Sequence, residues 1–237
     1  MTPIKIEICP IVEANVEIQF QTQLPKGTLF GIIYNIFRDK YKTVLQLPLN
    51  QIPEEIRISD PNFKFKPLHK LTDGQFSILI GDDVLSFQAP SKYVGWDLFS
   101  DKINHFFKEI KKINAIEFVS RFSLRYLNFF ENDIFKNIDL EVKMMGSNYN
   151  SSNILFRTEF EEDEFIKVLQ IANSVTLNSN NIKRNGSIID ISCVIKSPND
   201  FFNKSNSIID KAHLLEKNLF FGLLKDDFIK SLKPSYE

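Results

Sequence analysis

No apolar run in these 237 residues comes near the roughly 20 that a membrane-crossing helix needs. The opening stretch MTPIKIEICPIVEANVEIQF has no basic segment ahead of an apolar one, so no secretory signal is expected. Cysteine is reduced to Cys9 and Cys193, which excludes a disulfide scaffold. Histidine is limited to His69, His105 and His213, and none has a second His or Cys at metal-ligand spacing. Glycine is sparse at eight, with no phosphate loop, no dinucleotide-binding glycine pattern and no nucleophile elbow among them. A net charge of −1 removes any global attraction to nucleic acid or an anionic membrane. These absences lead to the expectation of a cytoplasmic protein with no cofactor, no metal and no evident reaction.

What the chain does have is phenylalanine, 23 of them, beside many Lys, Ile and Asn. That bias reads as the codon usage of an AT-rich genome more than as a special chemistry. With 43% hydrophobic residues the chain can fill one large core or two joined half-domains.

Periodicity supplies the elements. Val12, Ala14, Val16, Ile18 and Phe20 alternate with Glu13, Asn15, Glu17 and Gln19, a half-buried strand. A helix follows around Leu29, Ile33 and Phe37, with Thr28 as expected N-cap and Gly31 as a weak point. Short extended pieces, among them EEIRIS, lead into an antiparallel meander from Leu68 to Gln88, turned at Asp73-Gly74 and Gly81-Asp82 by residues suited to positive φ. Phe99, Ile103, Phe106 and Ile110 form the stripe of a long helix, with Trp96 and Tyr93 seating its start. Then comes a long strand, FVSRFSLRYLNFF, with Phe118, Phe122, Leu124 and Tyr126 on one face. Four more strands follow, IDLEVKMM, NILFRTEFEE, EFIKVLQIANSVTL and GSIIDISCVIKS, with GSNYNSSN and NSNNIKRNG as loops. A closing helix is expected from near Ser205. The fold class is α+β: a large, mostly antiparallel sheet with long helices on one face.

The element order restarts after residue 114, which predicts two related halves, 1–114 and 115–237, sharing one sheet as a single compact unit. A shift that lays Glu13 on Arg121 also lays Glu17 on Arg125, so the first strands of the halves carry opposite charges at equal spacing. Paired antiparallel, Glu13 and Glu17 would answer Arg121 and Arg125 across the strands, each pair contributing about 0.2–1 kcal/mol. Alternatively the arginines clamp a phosphate or carboxylate. Arg121, Arg125, Tyr126, Asn128 and Trp96 are the residues such a ligand would meet.

The segments PIVEANVEIQF, YVGWDLF, RFSLRYLNFF and AHLLEKNLFFGLLKDD resemble those of a bacterial family of sporadically distributed proteins, about this length and without an assigned reaction. The resemblance runs across the chain except from Asp139 to Asp200. It implies a patchily inherited accessory protein, of the kind found among antitoxin, immunity and phage-defence genes.

His105 and His213 read as half-buried helix-surface residues, and Cys193 as a small core residue. Three functions follow in order of preference: recognition of a protein partner without catalysis; binding of a small molecule in a pocket between curved sheet and helices; and nucleic-acid binding through the exposed sheet face, which the neutral charge disfavours.

Overall fold

The computed structural model describes residues 2–148, 153–179 and 182–236. Its strands are β1 (Lys5–Ile6), β2 (Ile11–Gln21), β3 (Thr43–Gln46), β4 (His69–Thr72), β5 (Ser77–Ile80), β6 (Val84–Gln88), β7 (Phe118–Phe130), β8 (Lys143–Met144), β9 (Ser147–Asn148), β10 (Leu155–Glu162), β11 (Phe165–Ser179), β12 (Ile182–Lys196) and β13 (Pro234–Ser235). Its helices are α1 (Thr28–Phe37), α2 (Glu54–Ser59), α3 (Trp96–Ile113), α4 (Phe201–Leu223) and α5 (Asp226–Ser231). Nine strands form one antiparallel sheet in the order β10-β11-β12-β7-β2-β6-β5-β4-β3. The α+β class and the large antiparallel sheet are therefore present; an internal duplication is not shown by this order of elements. By contact the chain divides into two compact units, one of residues 13–124 and 194–211, the other of residues 1–12, 125–193 and 212–237. That division passes through β2, β7, β12 and α4.

In the first unit, register follows the hydrophobic alternation. Val16 lies opposite Phe87 and Ile18 opposite Leu85 across β2 and β6, while Ile78 lies opposite Phe87 across β5 and β6. Phe87 meets Phe99 and Phe106 of α3, Phe106 meets Phe37 of α1, and Phe107 packs edge-on to Phe201 at the start of α4. Phe201 in turn touches Phe122 on β7. The surplus phenylalanine thus fills the layer between sheet and helices with rings packed on one another. Each fully buried ring contributes about 1.5–3 kcal/mol.

The second unit has its own core, in which Leu169 and Ile171 of β11 and Ile189 and Ile191 of β12 meet Phe220 and Leu224 near the end of α4. Ile134 and Ile138, after β7, and Ile229 and Leu232 complete it. The pair β1 and β13 joins the two ends of the chain within this unit.

Several local expectations are corrected. EEIRIS is the helix α2, not a strand, because Pro53 sets the turn and Glu54 and Glu55 suit a helix start. Thr28 is the first helical residue and not the cap; Gly27 holds the cap position at a φ of 77°, its N–H bonded to Asp82 Oδ1. IDLEVKMM yields only the two-residue β8. NSNNIKRNG is not a loop outside its tip: β11 runs to Ser179 and β12 starts at Ile182, with Asn180 and Asn181 outside the described residues. Much of the polar GSNYNSSN segment also lies outside them. The closing helix starts four residues early, at Phe201. Phe118, expected on the buried row, is 43% exposed at the mouth of β7. Gly74 has the expected positive φ, but Gly81 does not; it is needed because a Cβ there would stand 2.5 Å from the Lys66 carbonyl oxygen.

Candidate functional site

The two arginines of β7 have different surroundings. Arg121 Nη1 stands 3.4 Å from Glu17 Oε1 and 3.1 Å from Ser123 Oγ. Glu17 also accepts from Ser86 Oγ at 3.0 Å and Gln19 Nε2 at 3.3 Å, so its carboxylate is shared among several donors. Arg125 instead makes a two-pronged pair with Asp190 on β12, Nε to Oδ1 at 2.8 Å and Nη2 to Oδ2 at 2.7 Å. That planar fork is the geometry guanidinium and carboxylate prefer. The sequence set Glu13 and Glu17 against Arg121 and Arg125 without fixing which answers which; Glu17 stands by Arg121, and Asp190 was missed. The signal was present in IIDISCVI, whose alternation puts Asp190 on the row opposite Ile189 and Ile191. Glu13 stands half-buried on β2.

Tyr126 and Asn128, on the other face of β7, serve the fold. Asn128 Nδ2 donates to the Ile189 carbonyl, and the Tyr126 hydroxyl lies 3.2 Å from His213 Nδ1. Burial, with the Lys217 charge behind it, lowers the His213 pKa to about 4. Trp96 opens α3 and packs edge-on against Phe99, as Tyr93 does.

A buried acid was not anticipated. Glu216 of α4 is 2% exposed, and its Oε1 accepts from the backbone N–H of Cys193 at 3.2 Å. The burial alternation of β12 breaks here, with Cys193, Val194 and Ile195 all buried, so the strand is irregular where its N–H turns to a side chain. Burial pushes the Glu216 carboxyl well above its ordinary range and the Cys193 thiol likewise. A thiol whose ionisation burial opposes has little nucleophilic capacity.

The arrangement best suited to a ligand lies between α3 and the first turns of α4, within the first unit. Asn104, His105, Lys108 and Lys111 of α3 face Phe202, Asn203, Ser205 and Asn206 of α4 across an open cleft of about 510 Å³. That size is within the roughly 300–1,000 Å³ of small-molecule sites. Asn104, Lys108 and Lys111 recur at helical spacing, which places them on one side of α3. The inward residues Ile103, Phe106, Phe107 and Ile110 hold that side outward by packing against the core.

The lining carries two lysines and a histidine but no carboxylate. Lys111 Nζ donates to Asn203 Oδ1, and Asn203 Nδ2 donates to Asp200 Oδ1 at 2.7 Å, so the nearby acid is engaged outside the cleft. Asn104 Oδ1 is buried and has no hydrogen-bond partner. A buried acceptor left unpaired costs about 1–3 kcal/mol, and this oxygen is closed to any group in the cleft. His105, expected half-buried, is exposed on the cleft wall.

Sequence reasoning passed over this cleft because lysines on an amphipathic helix ordinarily form its solvated face. Only the approach of α4 gives them a second wall. Among the described residues no group of three or more His, Cys, Asp or Glu side chains is arranged for a metal ion, and no helix is long and apolar enough to cross a membrane. No family model matches the chain, and no curated protein does.

Proposed function

We propose that this protein is a non-enzymatic recognition protein and that it recognises an anionic group held in the cleft between α3 and α4. The observation that carries the reading is the lining itself: Lys108, Lys111 and His105, and no acid. Ammonium groups attract phosphate and carboxylate as point charges. The test is calorimetric titration of the full chain with ribose 5-phosphate at two salt concentrations. Binding that weakens with salt, and that disappears in the Lys108→Gln/Lys111→Gln variant, supports the reading. Heat that is absent, or equal in the variant, overturns it.

A second reading, recognition of a protein partner, is favoured by the sheet edge at β3. All four of its residues are exposed, Val44 at 39% and Leu45 at 47%, and its outer edge has no neighbouring strand in the sheet. Exposed Lys40 and Lys42 precede it, so the fitting partner is an extended, acidic segment added as a tenth strand. Native mass spectrometry of the protein from its own host, followed by hydrogen exchange on any complex, tests this. Protection confined to 43–46 and lost in Leu45→Glu supports it, and a complex that leaves 43–46 unprotected refutes it. The resemblance to sporadically distributed bacterial proteins supports an accessory role in immunity or phage defence, and bears on the pathway rather than on either surface.

A further inference from the structure

We propose that the outer edge of β10 binds the same edge of a second copy of this chain, the two strands pairing antiparallel about Thr158 in a twofold dimer. β10 ends the nine-stranded sheet, and among the described residues its outer side has no neighbouring strand. It is eight residues long, and Leu155, Arg157 and the run from Glu159 to Glu162 are exposed. An open edge of this kind presents backbone donors and acceptors to any strand that fits it. Its own sequence says which strand fits. Phe156-Arg157-Thr158-Glu159-Phe160 is its own complement when reversed: about Thr158, Phe156 meets Phe160 of the second copy, Arg157 meets Glu159, and the two Thr158 meet each other. Aromatic pairs, opposite charges and paired threonines are all cross-strand neighbours that stabilise an antiparallel ladder. The pairing uses neither the cleft nor β3, and because each copy offers the same patch it closes at two copies.

The backbone permits this register, and the charges reject its neighbours. The Ile154 carbonyl accepts from the Asn173 N–H at 3.2 Å, continuing the β10–β11 register in which Leu155 lies opposite Ala172. Hydrogen-bonded pairs alternate along an antiparallel ladder, so 156, 158, 160 and 162 also turn their backbone groups to β11, while 155, 157, 159 and 161 turn theirs outward. Pairing about Thr158 sets 157 against 159 and 155 against 161, outward group against outward group, for about eight backbone hydrogen bonds across the dimer. A slip of one residue would set outward groups against inward ones. A slip of two sets Arg157 against Arg157 in one direction and Glu159 against Glu159 in the other, and like charges directly opposite are unfavourable. The faces agree as well. Phe156 packs on the core of its unit, opposite Ile171, and Phe160 on the same face is 41% exposed. In the dimer each Phe160 gains Phe156 of the other copy at the close spacing of a non-hydrogen-bonded pair, so the apolar row continues across the interface. Arg157 and Glu159, bonded to each other within the strand at 2.6 Å, bring their charges to the opposite face.

The experiment is sedimentation equilibrium on the full chain and on two single variants, Arg157→Glu and Glu159→Arg, each alone and then mixed. The wild type is expected to form a dimer and nothing larger. Each variant alone sets like charges opposite one another at both crossed positions, and its dimer should be weaker by roughly tenfold or more. In the mixture the acids of one variant stand opposite the arginines of the other, so a heterodimer, identified by its mass in native mass spectrometry, should recover the lost affinity. That recovery separates charge across the interface from any effect on the strand itself, and thermal unfolding of each variant shows that the fold is kept. A wild type that stays monomeric at every concentration overturns the proposal. So does a dimer that both variants form as well as the wild type does. Weakening in both variants with no recovery in the mixture overturns the pairing about Thr158.

Discussion

At the scale of single residues, two arginines that look alike in RFSLRYLNFF should behave differently. Asp190→Ala leaves the Arg125 guanidinium half-buried without its fork, and a loss of about 2 kcal/mol is expected in urea unfolding at neutral pH. Arg121→Met removes a 3.1 Å bond to Ser123 Oγ and a 3.4 Å contact to a carboxylate that Ser86 and Gln19 also serve, and should cost less than about 1 kcal/mol. Equal losses would show that the bidentate geometry has no special weight. Glu216 offers a second comparison. Glu216→Gln keeps an oxygen for the Cys193 N–H, whereas Glu216→Ala leaves that N–H unpaired and opens a cavity, costing about 2–4 kcal/mol.

At the scale of elements, the glycines separate close approach from mere weakness. Gly186 sits in β12, where a Cβ would overlap the carbonyl oxygen of Phe130 and lie 2.9 Å from Phe129 Cζ. Gly186→Ala must displace backbone, so a loss of about 3 kcal/mol or more is expected, read as a lower urea midpoint. Gly31 in α1 and Gly222 in α4 have nothing within 4 Å and ordinary φ. Gly31→Ala should therefore stabilise by roughly 0.5–1 kcal/mol through helix propensity alone, and a loss there would mean an unseen packing role. Gly31 as a weak helix position was legible from composition and local pattern. Gly186 was not, because its constraint comes from a strand more than fifty positions away in the chain. The cleft was hidden for the same reason: half its wall belongs to α4.

At the scale of the whole molecule, two buried groups set opposing pH slopes. His213 binds its proton less readily in the fold, near pH 4 against 6.5 in the unfolded chain. Between those values the unfolded state holds the extra proton, so this term makes stability rise with pH. Glu216 is raised above 4.5, so from there upward the folded state holds the extra proton and stability falls. The two terms oppose each other between about pH 4.5 and 6.5. Glu216→Gln should expose the His213 slope, with stability climbing across that window in urea titrations. His213→Gln should expose the opposite slope. Parallel profiles for wild type and both variants would show that neither group titrates differently on folding.

By itself the sequence determined the buried rows of β2 and α3 and the place of most long strands and helices, but not α2 in EEIRIS or the short β8 in IDLEVKMM. Alternation in β2 and β7 and the phenylalanine stripe of α3 are local patterns, and burial of apolar area enforces them whatever the surroundings. It also set the acids of β2 against the arginines of β7, without deciding that Glu17 is the one beside Arg121. Only tertiary structure decided that Asp190 takes the fork of Arg125, that Glu216 turns inward to a strand N–H, and that Lys108 and Lys111 face Phe202 and Asn206. Each of those outcomes depends on where one element comes to rest against another. That placement is governed by the summed packing of many side chains, which no short stretch of sequence contains.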